Sequence, residues 1–187
     1  MERLLLHTCC APCSVYCVES LRAEGLEPVS FWYNPNIHPY QEYKARRDAL
    51  TGYAEAIGLA LVVRDNYGLR EFVQAVAGDI DSRCAHCYAC RLEETARYAA
   101  QNGFTHFSTT LLVSPYQDHE AICRTAQTMA DRYGVAFLYR DFRPGFRQGQ
   151  SRAREMDLYM QKYCGCVFSE EERYEKQIRR DRERFPL

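Results

Sequence analysis

Short apolar runs alternate with helix-length amphipathic segments along almost the whole chain. Arg3 to His7 reads as a first buried strand, and Pro12 to about Glu24 as a helix stopped by Gly25. Pro28 to Tyr33 is a second strand that ends at the turn-forming run Asn34-Pro35-Asn36. Tyr40 to Ile57 reads as a helix, Leu59 to Arg64 as a third strand and Leu69 to Val76 as a short helix. A polar loop over Gly78 to Arg83 leads into a helix from about Cys84 to Gln101. Thr105 to Thr109 is a fourth strand, followed by a helix from about Tyr116 to Tyr133 and a fifth strand over Val135 to Tyr139. Pro144, Gly145 and Gly149 mark Arg140 to Gln150 as a loop. A helix from about Ser151 to Lys162 then ends at Tyr163-Cys164-Gly165-Cys166. The last helix starts at Ser169, is highly charged, and frays towards Pro186.

Strands separated by helix-length segments predict right-handed crossovers. The expected fold class is α/β: one domain over residues 1–187, with a mainly parallel sheet of about five strands, helices on both faces and a Rossmann-like layout. The tail from about residue 174 is expected to be a charged peripheral helix. In such sheets ligands bind beyond the carboxyl ends of the strands. Thr8 to Ser14, Thr110 to Gln117 and Asp141 to Gln150 are therefore expected to share a site.

Composition sharpens this picture in four places. The 187 residues carry 24 basic against 25 acidic side chains, so any nucleic-acid surface must be a local patch and not a global field. No apolar run approaches the roughly 20 residues of a membrane span, and Leu4 to Leu6 is too short for a signal-peptide core, so a cytosolic protein is expected. Arginine outnumbers lysine 21 to 3; this either reflects base composition or favours phosphate recognition through arginine's planar fork. Arg140, Arg143, Arg147, Arg152 and Arg154 crowd one loop and the helix after it, with only Asp141 and Glu155 against them. Phe142 and Phe146 are interleaved as stacking surfaces, which makes this a candidate RNA-binding patch or else a solvated loop.

The fourth feature is 10 cysteines in a chain expected to stay in a reducing compartment, where metal binding or catalysis is commoner than a disulfide framework. Cys9-Cys10-Ala-Pro-Cys13 follows the first strand and opens a helix. Cys84-Ala-His-Cys87-Tyr-Ala-Cys90 opens another. Two such groups at helix starts can supply the four thiolates of a zinc site or an iron–sulfur cluster. Zinc suits a remote structural site. The position of the first group, in the turn where this architecture binds substrate, favours iron–sulfur. Cys164-Gly165-Cys166 differs: a disulfide between cysteines two apart closes a strained ring and is easily reduced, which suits a redox relay. Among the histidines, His7 is either a hydrogen-bond donor near the metal or a satisfied core residue, and His38 and His119 are expected in exposed segments.

Together, His7-Thr8-Cys9-Cys10-Ala11-Pro12-Cys13, Arg83-Cys84-x-x-Cys87-Tyr88-x-x-Arg91-Leu92, Ser108-Thr109-Thr110-Leu111-Leu112-x-Ser114-Pro115, Asp141-Phe142-Arg143-Pro144-Gly145 and Tyr163-Cys164-Gly165-Cys166 resemble the cobalamin-independent epoxyqueuosine reductases of the QueH type. The resemblance implies a nucleotide-hydrolase-like fold related to the PP-loop enzymes. It also implies reductive removal of the epoxide oxygen from epoxyqueuosine at the tRNA wobble position, the last step of queuosine formation. By the same resemblance Cys9, Cys10, Cys84 and Cys87 hold a [4Fe–4S] cluster and Cys164 and Cys166 form the redox pair. Cys90 departs from the pattern and competes with Cys84 as a ligand; Cys17 is also outside it.

Those four ligands leave Cys13 as a spare thiol, to serve as proton donor or to hold an additional iron or other metal ion with Asp141 as its carboxylate. The expected partners are the anticodon loop of a tRNA, read as splayed single strand, and an electron donor whose identity stays open. Two alternatives accompany this reading: a zinc-stabilised RNA-binding module without redox activity, and a PP-loop-like sulfur or nucleotidyl transferase. The transferase predicts a phosphate cradle where the cysteines stand after the first strand.

Overall fold

The computed structural model describes residues 3–185 and contains β1 (Leu4–His7), β2 (Pro28–Trp32), β3 (Leu61–Val63), β4 (His106–Thr109) and β5 (Ala136–Phe137). All pair in parallel, in the order β3-β2-β1-β4-β5. The helices are α1 (Ala11–Ala23), α2 (Tyr40–Ala56), α3 (Leu69–Val76), α4 (Arg83–Gln101), α5 (His119–Tyr133), α6 (Phe146–Glu155) and α7 (Val167–Arg184). The step from β1 to β2 runs one way along the sheet and the step from β3 to β4 runs the other. With right-handed crossovers, α1 and α2 fall on one face and α4 and α5 on the opposite one. The packing agrees: α1 touches β2, α2 and α6, whereas α4 touches β1, β4 and α5. β1 is covered on both sides, which is why an uninterrupted Leu4-Leu5-Leu6 run belongs there.

The crevice opens where the winding reverses, between β1 and β4, and this places the turn after β1 at the mouth of the sheet. Two side chains fasten that turn. Asn34 Nδ2 donates to the carbonyl of Thr8 at 2.9 Å, and the Cys9 amide donates to Thr110 Oγ1 at 3.1 Å.

Most element boundaries agree with the sequence pattern within one or two residues, but three segments differ. Residues 140–150 are not a loop throughout: Arg143–Gly145 is a 3-10 turn and α6 already begins at Phe146. Gly145 and Gly149 are packing residues here, since α6 lies directly on Tyr16 of α1. A Cβ on Gly145 would stand 2.1 Å from the Tyr16 ring and one on Gly149 3.0 Å from its Cβ. The helix expected to run to Lys162 stops at Glu155. Asp157 takes a left-handed conformation (φ 54), with Asp157 N–H on the Arg154 carbonyl and Leu158 N–H on the Ala153 carbonyl, a Schellman closure built without glycine. Thr110–Val113 is a 3-10 turn, and α5 starts only at His119, where the Asp118 side chain accepts from the Ala121 amide. The charged α7 buries no residue, as its composition predicts, while Pro186 lies outside the described residues.

Candidate functional site

α1 starts without a side-chain cap, with Cys10 at its N-cap and Pro12 in its first turn. Unsatisfied amides and the positive end of the helix dipole therefore lie beside the Cys9–Cys13 turn, where they favour thiolates. The sulfurs of Cys9, Cys10 and Cys13 all lie within 4.8 Å of one another. They behave as one titrating unit. Hydrogen bonds from Cys10 and Cys13, helped by Thr110, hold the Cys9 thiol well below its ordinary range. Burial pushes Cys10 up, and the bonds Cys13 makes to its neighbours push it up as well. Gln161 closes the group from the far side, with Nε2 2.9 Å from Cys10 Sγ.

Below the triad, His7 is fully buried and satisfied. Thr109 Oγ1 accepts from the Leu111 amide, leaving its hydroxyl proton for His7 Nδ1 at 2.9 Å. Nε2 faces the Tyr33 carbonyl and Asn34 Oδ1, both at 3.2 Å, so it carries the ring proton. Burial foremost, and then Arg91, lower the His7 pKa to about 4. The imidazole is a neutral strut and not a proton donor to the thiols.

The second cysteine group lies elsewhere. Cys84 is exposed and Cys87 buried at the start of α4, and neither belongs to the compact triad. They face Cys164 and Cys166, with which they line a cavity of about 200 Å³. Burial pushes Cys87 up to about 12. Cys90, one turn on, points away towards Tyr33 Oη at 3.9 Å and lines a different cavity. Cys17 is buried in the core.

Cys166 is the N-cap of α7, its sulfur accepting from the Ser169 amide, whereas Cys164 is exposed. A larger cavity of about 370 Å³ has Cys9 and Cys13 in its wall, with Cys164, Phe146, Gln150 and Tyr116 around it. The two cavities share Arg91, Tyr116, Gln117 and Cys164.

Arg91 is only 3% exposed. Its Nη2 lies 3.0 Å from Cys87 Sγ, and it has no carboxylate partner among the described residues. Burial works against its charge, but the sulfurs of Cys87, Cys164 and Cys9 around it outweigh that and raise its pKa. A buried cation whose bonds go to the Cys87 carbonyl and sulfur, with no carboxylate, marks the space between the two cysteine groups as suited to anionic thiolates.

Several expected site residues lie apart from this space. Asp141 is held by Arg143 through Nε and Nη2, both at 2.8 Å, which keeps its carboxyl at about 2, and it belongs neither to the triad nor to the wall of the larger cavity. The arginine cluster is more neutralised than its local sequence suggests, because α1 supplies acids: Arg140 pairs with Glu24 and Arg152 with Glu19. Arg147 and Arg154 are exposed and have no carboxylate partner among the described residues. Phe142 is 1% exposed, a core residue that cannot stack on a base; Phe146 does line the cavity, edge-on to the exposed Tyr116. His38, expected at the surface, is buried against Phe72 and Tyr67.

The sequence reading missed Gln161, Gln117's contact with sulfur, and Arg46. Arg46 is buried in α2 and donates from Nη1 to the Cys164 carbonyl (2.7 Å) and from Nη2 to that of Tyr163 (2.9 Å). A signal for Arg46 existed, since it shares the buried stripe of α2 with Tyr43, Leu50 and Tyr53. Gln161 lies in irregular chain and carries no such signal.

The donor set fits a thiolate-bound metal centre: three soft ligands, two buried and one half-buried, at a helix N-terminus, with no carboxylate among them. Four-coordination needs at least one further ligand from outside the triad.

A family model described as epoxyqueuosine reductase QueH matches residues 4–172. Relatives of that name include a Dehalococcoides mccartyi protein, 38% identical over 93% of this chain and 96% of its own length. A Thermotoga maritima protein is 36% identical over 98% of each, and one from Haemophilus influenzae is 34% identical over 90% of this chain and 71% of its own. In overall fold the chain is similar to a predicted subunit of a tRNA methyltransferase from Methanocaldococcus jannaschii (TM-score 0.52, 16% identity, 81% of this chain and 76% of the other). It is similar also to the zinc-inhibited form of the teicoplanin deacetylase Orf2 (0.51, 11%, 98% and 94%).

Proposed function

The chain belongs to the epoxyqueuosine reductase QueH family, and from that premise we propose that it reduces epoxyqueuosine in tRNA to queuosine as one α/β domain over residues 1–187. The observation that carries this reading is a compact thiol triad of which Cys9 and Cys13 line a cavity that also holds the exposed Cys164. Cys9 and Cys10, joined by Cys84 and Cys87 from α4, hold a [4Fe–4S] cluster, and Cys13 remains beside it. When bound, the cluster supplies electron transfer, and a further iron at Cys13 supplies Lewis acidity. The distance of Asp141 from the triad argues against it as the carboxylate of that second site.

The reaction closes on this chain's own groups. The thiols of Cys164 and Cys166 give two electrons and two protons, the epoxide oxygen leaves as water, the ring carbons become an alkene, and the pair becomes a disulfide. An external dithiol or electron donor then restores it. Gln150, Gln161 and Phe146 shape the cavity that receives an anticodon-loop nucleotide, splayed from its neighbours so that its modified base can enter. Arg147 and Arg154, free of acids, are placed to contact the phosphates. No helix of the described residues is long and apolar enough to cross a membrane.

The test is anaerobic purification, iron and sulfide analysis, and turnover of tRNA carrying epoxyqueuosine. Cluster-level iron with formation of queuosine is expected. A colourless protein that takes up zinc, resists reconstitution with iron and leaves the epoxide intact would replace the reductase with a zinc-stabilised RNA binder.

A further inference from the structure

Cys164 is the one sulfur that lines both cavities, and its position is set from two sides. On the backbone side, the Arg46 fork takes the carbonyls of Tyr163 and Cys164 while its Nε is tied to Glu42 Oε1 at 2.7 Å. Next to it, the His38 amide donates to the Gly165 carbonyl at 2.8 Å. On the sulfur side, Gln117 Nε2 lies 3.2 Å from Cys164 Sγ.

The orientation of that carboxamide is dictated by its other end. The Asp118 amide donates to Tyr88 Oη at 3.2 Å, so the phenol proton is free to point onward, and Tyr88 Oη donates to Gln117 Oε1 at 2.7 Å. With its oxygen engaged by a donor, Gln117 can present only N–H to Cys164. Tyr88 is buried, and the Asp118 amide on its oxygen leaves its hydroxyl proton for Gln117.

We propose that Gln117, oriented by Tyr88, is a positioning residue that holds Cys164 Sγ at the junction of the two cavities and stabilises its thiolate relative to the Cys164–Cys166 disulfide. A carboxamide N–H bonds an anionic sulfur about twice as strongly as a neutral one. The bond is therefore worth more in the reduced pair than in the disulfide, and it makes the pair a better oxidant. The poise matters because a pair that has surrendered two electrons and two protons to the epoxide must be reduced again before the next turnover. The inference rests on the redox role given above to Cys164 and Cys166.

The experiment equilibrates the full-length, anaerobically purified protein with reduced and oxidised glutathione at fixed pH and reads the Cys164 and Cys166 peptides by differential alkylation and mass spectrometry. Gln117→Glu keeps the acceptor for Tyr88 and removes the donor to sulfur. It should shift the equilibrium towards the disulfide by at least about tenfold, ~30 mV for a two-electron couple. Tyr88→Phe, which frees the carboxamide to flip, should shift it the same way by less. Melting temperature and metal content should match the parent in the Gln117 variant, since Gln117 is only half-buried and outside the triad. A Gln117→Glu constant within about twofold of the parent, in a protein whose pair does cycle, overturns the positioning role alone. A parent protein whose Cys164–Cys166 disulfide never forms, even in fully oxidised glutathione, overturns the redox assignment beneath it.

Discussion

The two cysteine regions of this protein are built on opposite plans. The triad of Cys9, Cys10 and Cys13 comes from one turn and the first helical turn after it, so local geometry alone brings three sulfurs within 4.8 Å. Around Cys164, sulfurs arrive from α4 and from the irregular chain ahead of α7. The segment carrying Cys164 is held by long-range bonds from Arg46, Gln117 and the His38 amide, and two of these sulfurs, Cys84 and Cys164, are exposed. Their difference in burial and in origin separates sulfurs gathered by local chain geometry from sulfurs gathered only by packing between distant segments. Arg91, buried between them, feels sulfur from both groups.

The sharpest way to break the comparison is to remove ligands from each side. Cys9→Ser and Cys10→Ser should abolish metal retention, measured as iron per chain after anaerobic reconstitution. Cys84→Ser and Cys87→Ser should do the same if α4 closes on the triad, as the proposed ligand set requires. Full metal content in both α4 variants would confine the centre to the triad and a non-cysteine ligand. Next in size, Cys164→Ser should cost about 10²-fold or more in turnover, the scale of losing a reacting group, while metal content stays at the parent level. Simultaneous loss of metal would erase the separation of roles.

A stability effect follows. Gly145→Ala drives a methyl into the Tyr16 ring and should lower stability by about 1–3 kcal/mol or more, read as a fall of several degrees in thermal melting. Two buried histidines, one beside each region, predict a pH dependence. His7 and His38 are both buried neutral, with pKa values lowered to about 4, chiefly by burial. Below pH ~6.5 the unfolded chain binds their protons first, so stability falls progressively from about pH 6.5 to about pH 4. Each imidazole contributes up to ~3 kcal/mol to that fall. His38→Gln should flatten the slope of melting temperature against pH by roughly half; an unchanged slope would place the titration elsewhere. The smallest expected effect is that of Asp141→Asn, whose ion pair with Arg143 is surface-exposed: metal content and melting temperature should both stay at the parent values. A lost metal ion there would return Asp141 to the centre.

Much of this architecture was legible before any coordinates. Parallel strands at β1, β2 and β4 follow from apolar runs spaced by helix-length segments, and the placement of cysteines after the first strand follows from chain order alone. The motifs also carried the family, because their combination spans nearly the whole chain. Other features were hidden for identifiable reasons. Gly145 and Gly149 look like helix breakers until Tyr16 supplies the contact that requires glycine at the N-cap and inside α6. Asp157 ends α6 through a left-handed turn that sequence rules assign to glycine. The arginines of residues 140–154 look unopposed because Glu19 and Glu24 lie more than a hundred residues earlier and meet them only when α1 and α6 pack.

The sequence by itself therefore determined the periodicity of the elements, the sheet class, the triad and the family, since each depends on residues close in the chain or on a pattern read in order. Only the tertiary structure decided which sulfurs face one another, that Arg91 and Arg46 are buried cations, that Asp141 stands apart, and that Gln117 presents an N–H to Cys164. Those outcomes depend on contacts between segments tens to more than a hundred residues apart. Burial, charge pairing and hydrogen-bond direction there are properties of the assembled packing and of no single stretch of chain.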